Sequence, residues 1–336
     1  MCVTFKVPTA ADGSVVVGRS LEFPAQLPTA LAVLPRDYQG FFAGPDGRPG
    51  EAGWTARHGA VGMCAFGKPA VLLDGLNTAG LSMHILYMPG FCEFQPYKGD
   101  GSDVSELELG AWILGTCADT GEVRAALAGK NIWGTDPGMG FVPPCHFLFH
   151  DRDSSIALEF HAGGWQVHDN PPAVATNAPY LDWHLLNLSN YAGLSAANPA
   201  PQTVSGMELR PFGQGAGLRG LPGDYSSPSR FVRAAAMTSL ARQPADSRAA
   251  ELCALHVLNS FDIVDGAIRE PFGSELVDEV TVWDTIVNLT GQRYAYRTMT
   301  DPNVYVADLA ATDFTRPPHV VPLSWQGEFL PVALNP

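Results

Sequence analysis

The chain has 336 residues, 46% hydrophobic and only 16% charged, with 20 basic against 34 acidic side chains and a net charge of −14. That length accommodates one large domain or two ordinary ones with a substantial core, which excludes a disordered chain. The acidic balance, without any Lys/Arg run, leaves nothing to grip phosphate backbones, so nucleic acid is excluded as a partner.

The chain opens Met1-Cys2-Val3-Thr4-Phe5-Lys6-Val7-Pro8, with no basic n-region and no apolar stretch of signal-peptide length. No apolar run approaches the roughly 20 residues of a membrane span. The expectation is a soluble cytoplasmic protein. Cys2 to Val7 alternates as a strand, Ala11-Asp12-Gly13-Ser14 is a turn signal, and Val15 to Arg19 is β-branched again. A hairpin centred near residue 11 brings Arg19 and its neighbours opposite Cys2. Further strands are predicted at Leu31–Leu34, Ala60–Phe66, Leu81–Met88, Phe147–His150, Ile156–Phe160, Val280–Val287 and Tyr294–Thr298. Helical periodicity covers Ser105–Cys117, Tyr180–Tyr191, Ser229–Arg242 and Ala249–Phe261. The 35 Gly and 28 Pro lie between apolar runs, and strand meanders broken by helix blocks indicate an α+β chain rather than alternating βαβ units. With no linker tract or fixed-period repeat, one domain over 1–336 is expected.

Several apparent motifs carry no chemistry in their context. Gly215-Ala216-Gly217-Leu218-Arg219-Gly220 spells GxGxxG, but Leu221-Pro222-Gly223 follows at once and denies a pyrophosphate its helix N-terminus. It reads as a glycine-rich loop. His146 and His150 flank an apolar strand and His161 lies past it; without an HExxH or matched cysteine spacing, no metal site is assigned. GxSxG is absent, which removes the α/β-hydrolase nucleophile. Six cysteines, Cys2, Cys64, Cys92, Cys117, Cys145 and Cys253, include no CxxC pair, so neither a disulfide scaffold nor a zinc site follows, and five read as small core residues.

Cys2 differs because removal of the initiator methionine leaves a thiol and a free α-amine on one residue. An α-amine of pKa about 7.7–8.0 accepts the thiol proton near neutrality without a histidine. Arg19 favours thiolate as a fixed positive charge, and Glu22 is placed to orient the amine. Position alone also fits an incidental cysteine near a flexible terminus.

Five segments narrow this choice: Met1-Cys2; Gly18-Arg19-Ser20-Leu21-Glu22-Phe23; Asp74-Gly75-Leu76-Asn77-Thr78-Ala79-Gly80-Leu81; Ala175-Thr176-Asn177-Ala178-Pro179-Tyr180 continuing to Leu188; and Gly220 to Arg233, which contains Ser229-Arg230-Phe231-Val232-Arg233. In that order they resemble the choloylglycine hydrolase family, which contains penicillin V acylases and conjugated bile salt hydrolases. The resemblance implies an N-terminal-nucleophile hydrolase: a four-layer α/β/β/α sandwich of two antiparallel sheets, commonly homotetrameric, cleaving linear amide C–N bonds without a metal or other cofactor. It implies that Cys2 is the nucleophile through a thioester acyl-enzyme, and that Arg19 stands beside the thiol. Glu22 falls where the family's best-known members have aspartate, so its amine-orienting role must absorb an extra methylene. Asn177 matches the oxyanion-hole amide and Arg230 the arginine near the nucleophile, with Arg233 as the alternative one turn on.

By the same resemblance Tyr87 supplies a backbone N–H to the oxyanion hole and a ring to the acyl pocket, whose apolar walls include Leu21 and Phe66. Read from the residues alone, Asn177 also fits a turn before Pro179, Arg230 a helix-surface charge and Tyr87 a strand-end core aromatic. Tyr87 stands where penicillin V acylases have tyrosine and bile salt hydrolases often have asparagine. The expected partner is therefore a small N-acyl amide, penicillin V acylase-like, with conjugated bile salts and N-acyl homoserine lactones as alternatives. A non-catalytic lipid- or sterol-binding relative is the reading from another class.

Overall fold

In a computed structural model, which describes residues 1–23, 27–272, 275–332 and 334, strand Cys2–Lys6 pairs antiparallel with Val16–Phe23. Alternation along this hairpin sets the layers, because successive side chains point to opposite faces. Phe5 points outward, its ring 6.3 Å from that of Phe261 beyond the second of two helices, Ser227–Leu240 and Ser247–Leu258, that cover this face. Gly18 lies directly under Phe5: a Cβ there would come 2.6 Å from Phe5 Cζ, so only glycine lets the ring lie flat on the strand. Thr4 points the other way, toward His150, and so do Cys2 and, on the paired strand, Arg19 and Leu21.

The hairpin belongs to a six-stranded antiparallel sheet in the order Val174–Ala175, Cys2–Lys6, Val16–Phe23, Val280–Asn288, Arg293–Thr298, Asp301–Asp308. Against its inner face lies an eight-stranded antiparallel sheet in the order Gly164–Asp169, Ser155–His161, Cys145–His150, Ser82–Tyr87, Asp74–Asn77, Ala60–Ala65, Thr29–Leu34, His319–Pro322. Val61, Met63, Leu76, Leu86 and Leu148 fill the space between the sheets. Helix Glu106–Thr116 covers the outer face of the second sheet, packing with Met83, Phe147 and Phe149 in a separate core. The four layers are therefore helices, sheet, sheet, helices, the α/β/β/α sandwich that the family resemblance implied.

Each predicted strand and helix is present, with ends shifted by a few residues. Asp119 caps a further helix, Thr120–Leu127, by accepting the Glu122 N–H at 2.8 Å. Asp74–Asn77, Gly164–Asp169, Asp301–Asp308 and His319–Pro322 are strands that the sequence pattern did not mark. Among the described residues no helix is long and apolar enough to cross a membrane.

Candidate active site

The hairpin register places Leu21, not Arg19, directly opposite Cys2; Arg19 faces Thr4. The expected juxtaposition is thus displaced by one side-chain repeat, and the length of arginine makes up the difference. Arg19 Nη2 lies 3.9 Å from Cys2 Sγ. The same nitrogen donates to Ile85 O at 2.8 Å, Nε stands 3.6 Å from Asp74 Oδ2, and Cζ sits 4.2 Å over the Trp283 ring. Arg19 is wholly buried, so its charge acts on the thiol with little screening.

Asp74 is the fixed counter-charge. Its Oδ2 meets His84 Nδ1 at 2.9 Å and accepts the Thr285 hydroxyl at 3.2 Å, while Oδ1 accepts the Tyr294 hydroxyl at 3.0 Å. Burial alone would raise this carboxyl; His84, Arg19 and the hydrogen bonds outweigh burial and hold it below the ordinary range. Ser82 Oγ lies 3.1 Å from His84 Nε2, completing a serine, histidine and aspartate in line. All three are fully buried, so the line anchors Arg19 and has no route to a substrate.

The second group of contacts surrounds the main chain of Cys2. Its N–H donates to Asn177 Oδ1 at 2.9 Å. Arg230, reaching from helix Ser227–Leu240, donates through Nη1 to Cys2 O, through Nη2 to Asn177 Oδ1 and through Nε to Tyr225 O. Asn177 Nδ2 donates to Tyr87 O. With two donors on Oδ1, the amide is held with its nitrogen toward Tyr87, and the second Nδ2 hydrogen is left for another acceptor. Two buried histidines hold the segment from behind: His146 Nε2 on Thr176 O at 2.8 Å and His184 Nε2 on Asn177 O at 3.0 Å. Arg233 does not enter this group; it donates to Pro222 O and Asp224 O and lies 4.9 Å over the Phe261 ring.

Glu22 is buried beside these groups, but its carboxylate oxygens find no hydrogen-bond partner. Burial pushes its carboxyl up, against the lowering influence of Arg230 and the terminal amine. The Met1 ammonium donates instead to Glu279 Oε1 and to the main-chain oxygen of Glu22. In the Met1-bearing chain, then, Glu279 and not the Glu22 side chain holds the terminal amine. Sequence reasoning gave no sign of Glu279, which lies 278 positions from Met1.

From Cys2 an apolar pocket runs past Ile85 and Tyr87 to the start of helix Glu106–Thr116. Leu21 and Phe66 both line it, with Phe23, Leu73 and Met139. Phe66 sits at φ +58°, an uncommon conformation for an aromatic residue, and its N–H donates to Pro28 O at 3.0 Å. The Tyr87 ring is half-buried and meets Phe23 edge-on at 6.2 Å. Ile85 N–H points to Leu73 O. Strand period two therefore turns the Tyr87 N–H to the same edge, beyond the end of Asp74–Asn77, where Tyr87 O already meets Asn177.

The other five cysteines are free, and burial raises each of their thiols, Cys92 to about 12 and Cys117 to about 11. Arg57 lowers the Cys117 thiol only slightly against that burial. The GxGxxG segment is a loop with a three-residue turn of helix, Ala216–Leu218. His150 is satisfied by Ser155 Oγ at 2.7 Å.

The model of the family described as linear amide C–N hydrolases, choloylglycine hydrolase family, matches residues 2–321. The chain is 28% identical over 299 residues to a conjugated bile acid hydrolase of Lactobacillus gasseri, covering 88% of this chain and 91% of that protein. Its fold is similar to that of a conjugated bile acid hydrolase mutant from Clostridium perfringens, with TM-score 0.86, 23% identity and coverage of 99% and 100% of the two chains. It is also similar to a penicillin V acylase from Agrobacterium tumefaciens, with TM-score 0.75, 20% identity and coverage of 93% and 88%.

Proposed function

We propose a mechanism and a substrate class on the premise that this chain belongs to the choloylglycine hydrolase family and is a linear amide C–N hydrolase. In this reading, removal of Met1 exposes the Cys2 amine, which takes the thiol proton. The thiolate, favoured by Arg19 at 3.9 Å, attacks the amide carbon. The free hydrogen of Asn177 Nδ2 and the Tyr87 N–H receive the oxyanion, each donor contributing about 3 kcal/mol to transition-state stabilisation. The Cys2 ammonium then protonates the leaving amine. The thioester that remains is hydrolysed by water activated by the regenerated amine. Arg230 has a positioning role, because it binds Cys2 O and Asn177 Oδ1 at once. Glu279, which binds the Met1 ammonium, and Glu22, whose carboxyl that ammonium influences, are the acidic groups assigned to orient the amine at position 2.

The observation that carries this reading is the meeting of three features at Cys2: the Arg19 contact, the Asn177 bond to its main-chain nitrogen, and the apolar pocket that opens on its thiol. The walls of Leu21, Phe23, Phe66 and Leu73 suit an apolar acyl group, which gains about 25 cal/mol per Å² buried. With Tyr87 at the pocket, we favour an aromatic or fatty N-acyl amide of the penicillin V type. The relative from Lactobacillus gasseri, named for conjugated bile acids, supports a second reading in which the acyl group is a sterol acid.

The test is a comparison of kcat/KM on penicillin V, glycine- and taurine-conjugated bile salts and N-acyl homoserine lactones. The first reading expects penicillin V to lead by tenfold or more; a lead for the bile salts selects the second. Absence of turnover on every amide by a chain shown to lack Met1 would support a non-catalytic lipid-binding role. The same reading carries a homotetramer of single-domain subunits, which light scattering after size exclusion tests directly.

A further inference from the structure

The antiparallel hairpin Ser155–His161/Gly164–Asp169 brings together three side chains unrelated to the thiol site. Glu159 and His161 are two residues apart and share a face; His168 pairs with Ala157, two residues before Glu159, and joins that face. Glu159 Oε2 lies 3.6 Å from His168 Nε2. One donor atom from each of Glu159, His161 and His168 falls within 4.8 Å of the other two. Glu159 is 1% exposed, and its Oε2, His161 Nε2 and His168 Nε2 are all shut from solvent without a hydrogen-bond partner. Leaving a buried polar atom unpaired costs about 1–3 kcal/mol, so three side by side point to a common partner that can accept lone pairs.

We propose that Glu159, His161 and His168 form a binding site for a zinc-type divalent cation. Two imidazoles and one carboxylate are a borderline nitrogen and oxygen set that suits Zn²⁺; Mg²⁺ and Ca²⁺ favour oxygen-rich shells. Bonds of roughly 2.0–2.1 Å in a tetrahedron place ligands about 3.4 Å apart, close to the existing separation of Glu159 and His168. The surroundings have the character of an outer shell, in which ligands are themselves held by hydrogen bonds. Glu159 Oε1 accepts the Leu181 N–H at 2.9 Å and stands 3.5 Å from His146 Nδ1, and the Tyr180 ring lies 4.1 Å from that of His161. The His168 side chain, 27% exposed, gives the ion a way in, and a water completes the four ligands. Because Glu159 grips Leu181 and His146 grips Thr176, the ion ties this hairpin to the segment that carries Asn177.

The experiment uses the Cys2→Ser chain, which removes any thiol-based chelate at the N-terminus. Zn²⁺ is titrated in competition with a chromophoric chelator, and Co²⁺ is added separately as a spectroscopic probe. The expected result is one equivalent of Zn²⁺ per chain, bound at least tenfold more weakly after His168→Ala or Glu159→Gln. The Co²⁺ form should show tetrahedral visible bands without a thiolate charge-transfer band. Equal Zn²⁺ affinity with and without these side chains would overturn the proposal. So would a thiolate band, which would assign the metal to the remaining cysteines. Because Glu159 and His168 lie on opposite strands of the hairpin, either variant alone can carry the test if the other fails to fold.

Discussion

The side-chain carbonyl of Asn177 accepts the main-chain N–H of Cys2 at 2.9 Å, joining positions 175 apart in the chain. That bond holds the main-chain nitrogen of Cys2, while Arg19 on the adjacent strand stands 3.9 Å from its sulfur. The two constraints are independent and can be broken separately.

Asn177→Asp keeps an acceptor for Cys2 and Arg230 but removes the Nδ2 donor. The expected effect is a 10²–10³-fold fall in kcat, with Asn177→Ala falling at least as far. Steady-state kinetics at saturating substrate measures it; a kcat within threefold of the parent would remove Asn177 from the oxyanion hole.

Asp74→Asn leaves the buried guanidinium of Arg19 without its counter-charge. Breaking a buried ion pair from one side costs about 3–5 kcal/mol, and a loss near the lower bound is expected because Ile85 O and Trp283 still hold the cation. Urea unfolding reports the loss as a lower midpoint at unchanged slope.

His184 shows how acid should act on the site. Burial lowers its pKa to about 4, more than its bond to Asn177 O can offset. Its folded-state pKa lies below the unfolded value of about 6.5, so its contribution to stability is complete above about 6.5 and is lost as pH falls toward about 4. His184→Gln retains a donor for Asn177 O and cannot titrate. Thermal melts from pH 7 to pH 4 should show a shallower acid-side decline for this variant; identical slopes would mean that His184 does not control the decline.

Tyr87→Asn tests acyl selectivity. The ring is a pocket wall through its contact with Phe23, whereas the main-chain N–H and O survive the change. The kcat/KM ratio of penicillin V to conjugated bile salt should fall by about tenfold, an amount equal to about 1.4 kcal/mol, while the fold is retained. An unchanged ratio would remove the ring from substrate selection.

The sequence made legible whatever depends on local register or on a contiguous motif. The hairpin from Cys2 to Phe23 could be folded on paper from its turn signal, with an error of one side-chain repeat at Arg19, because Leu21 takes the paired position. The helix that carries Arg230 was evident from periodicity. Contacts that depend on which strands become neighbours were not legible: Asp74 and His84 behind Arg19, Glu279 at the terminal amine, and the convergence of Glu159, His161 and His168 across a hairpin. Strands Asp301–Asp308 and His319–Pro322 escaped because they lie at sheet edges with mostly exposed side chains, which erases the alternation that marks a strand. Helix Thr120–Leu127 escaped because it is two turns long and begins Thr120-Gly121.

The most direct test of the account is intact-mass analysis of the enzyme rapidly quenched in acid during turnover of an N-acyl amide. The expected result is a chain lacking Met1 that carries one acyl group, mapped to the N-terminal peptide and absent from Cys2→Ser. Full turnover by Cys2→Ser, or by a chain that retains Met1, would contradict it.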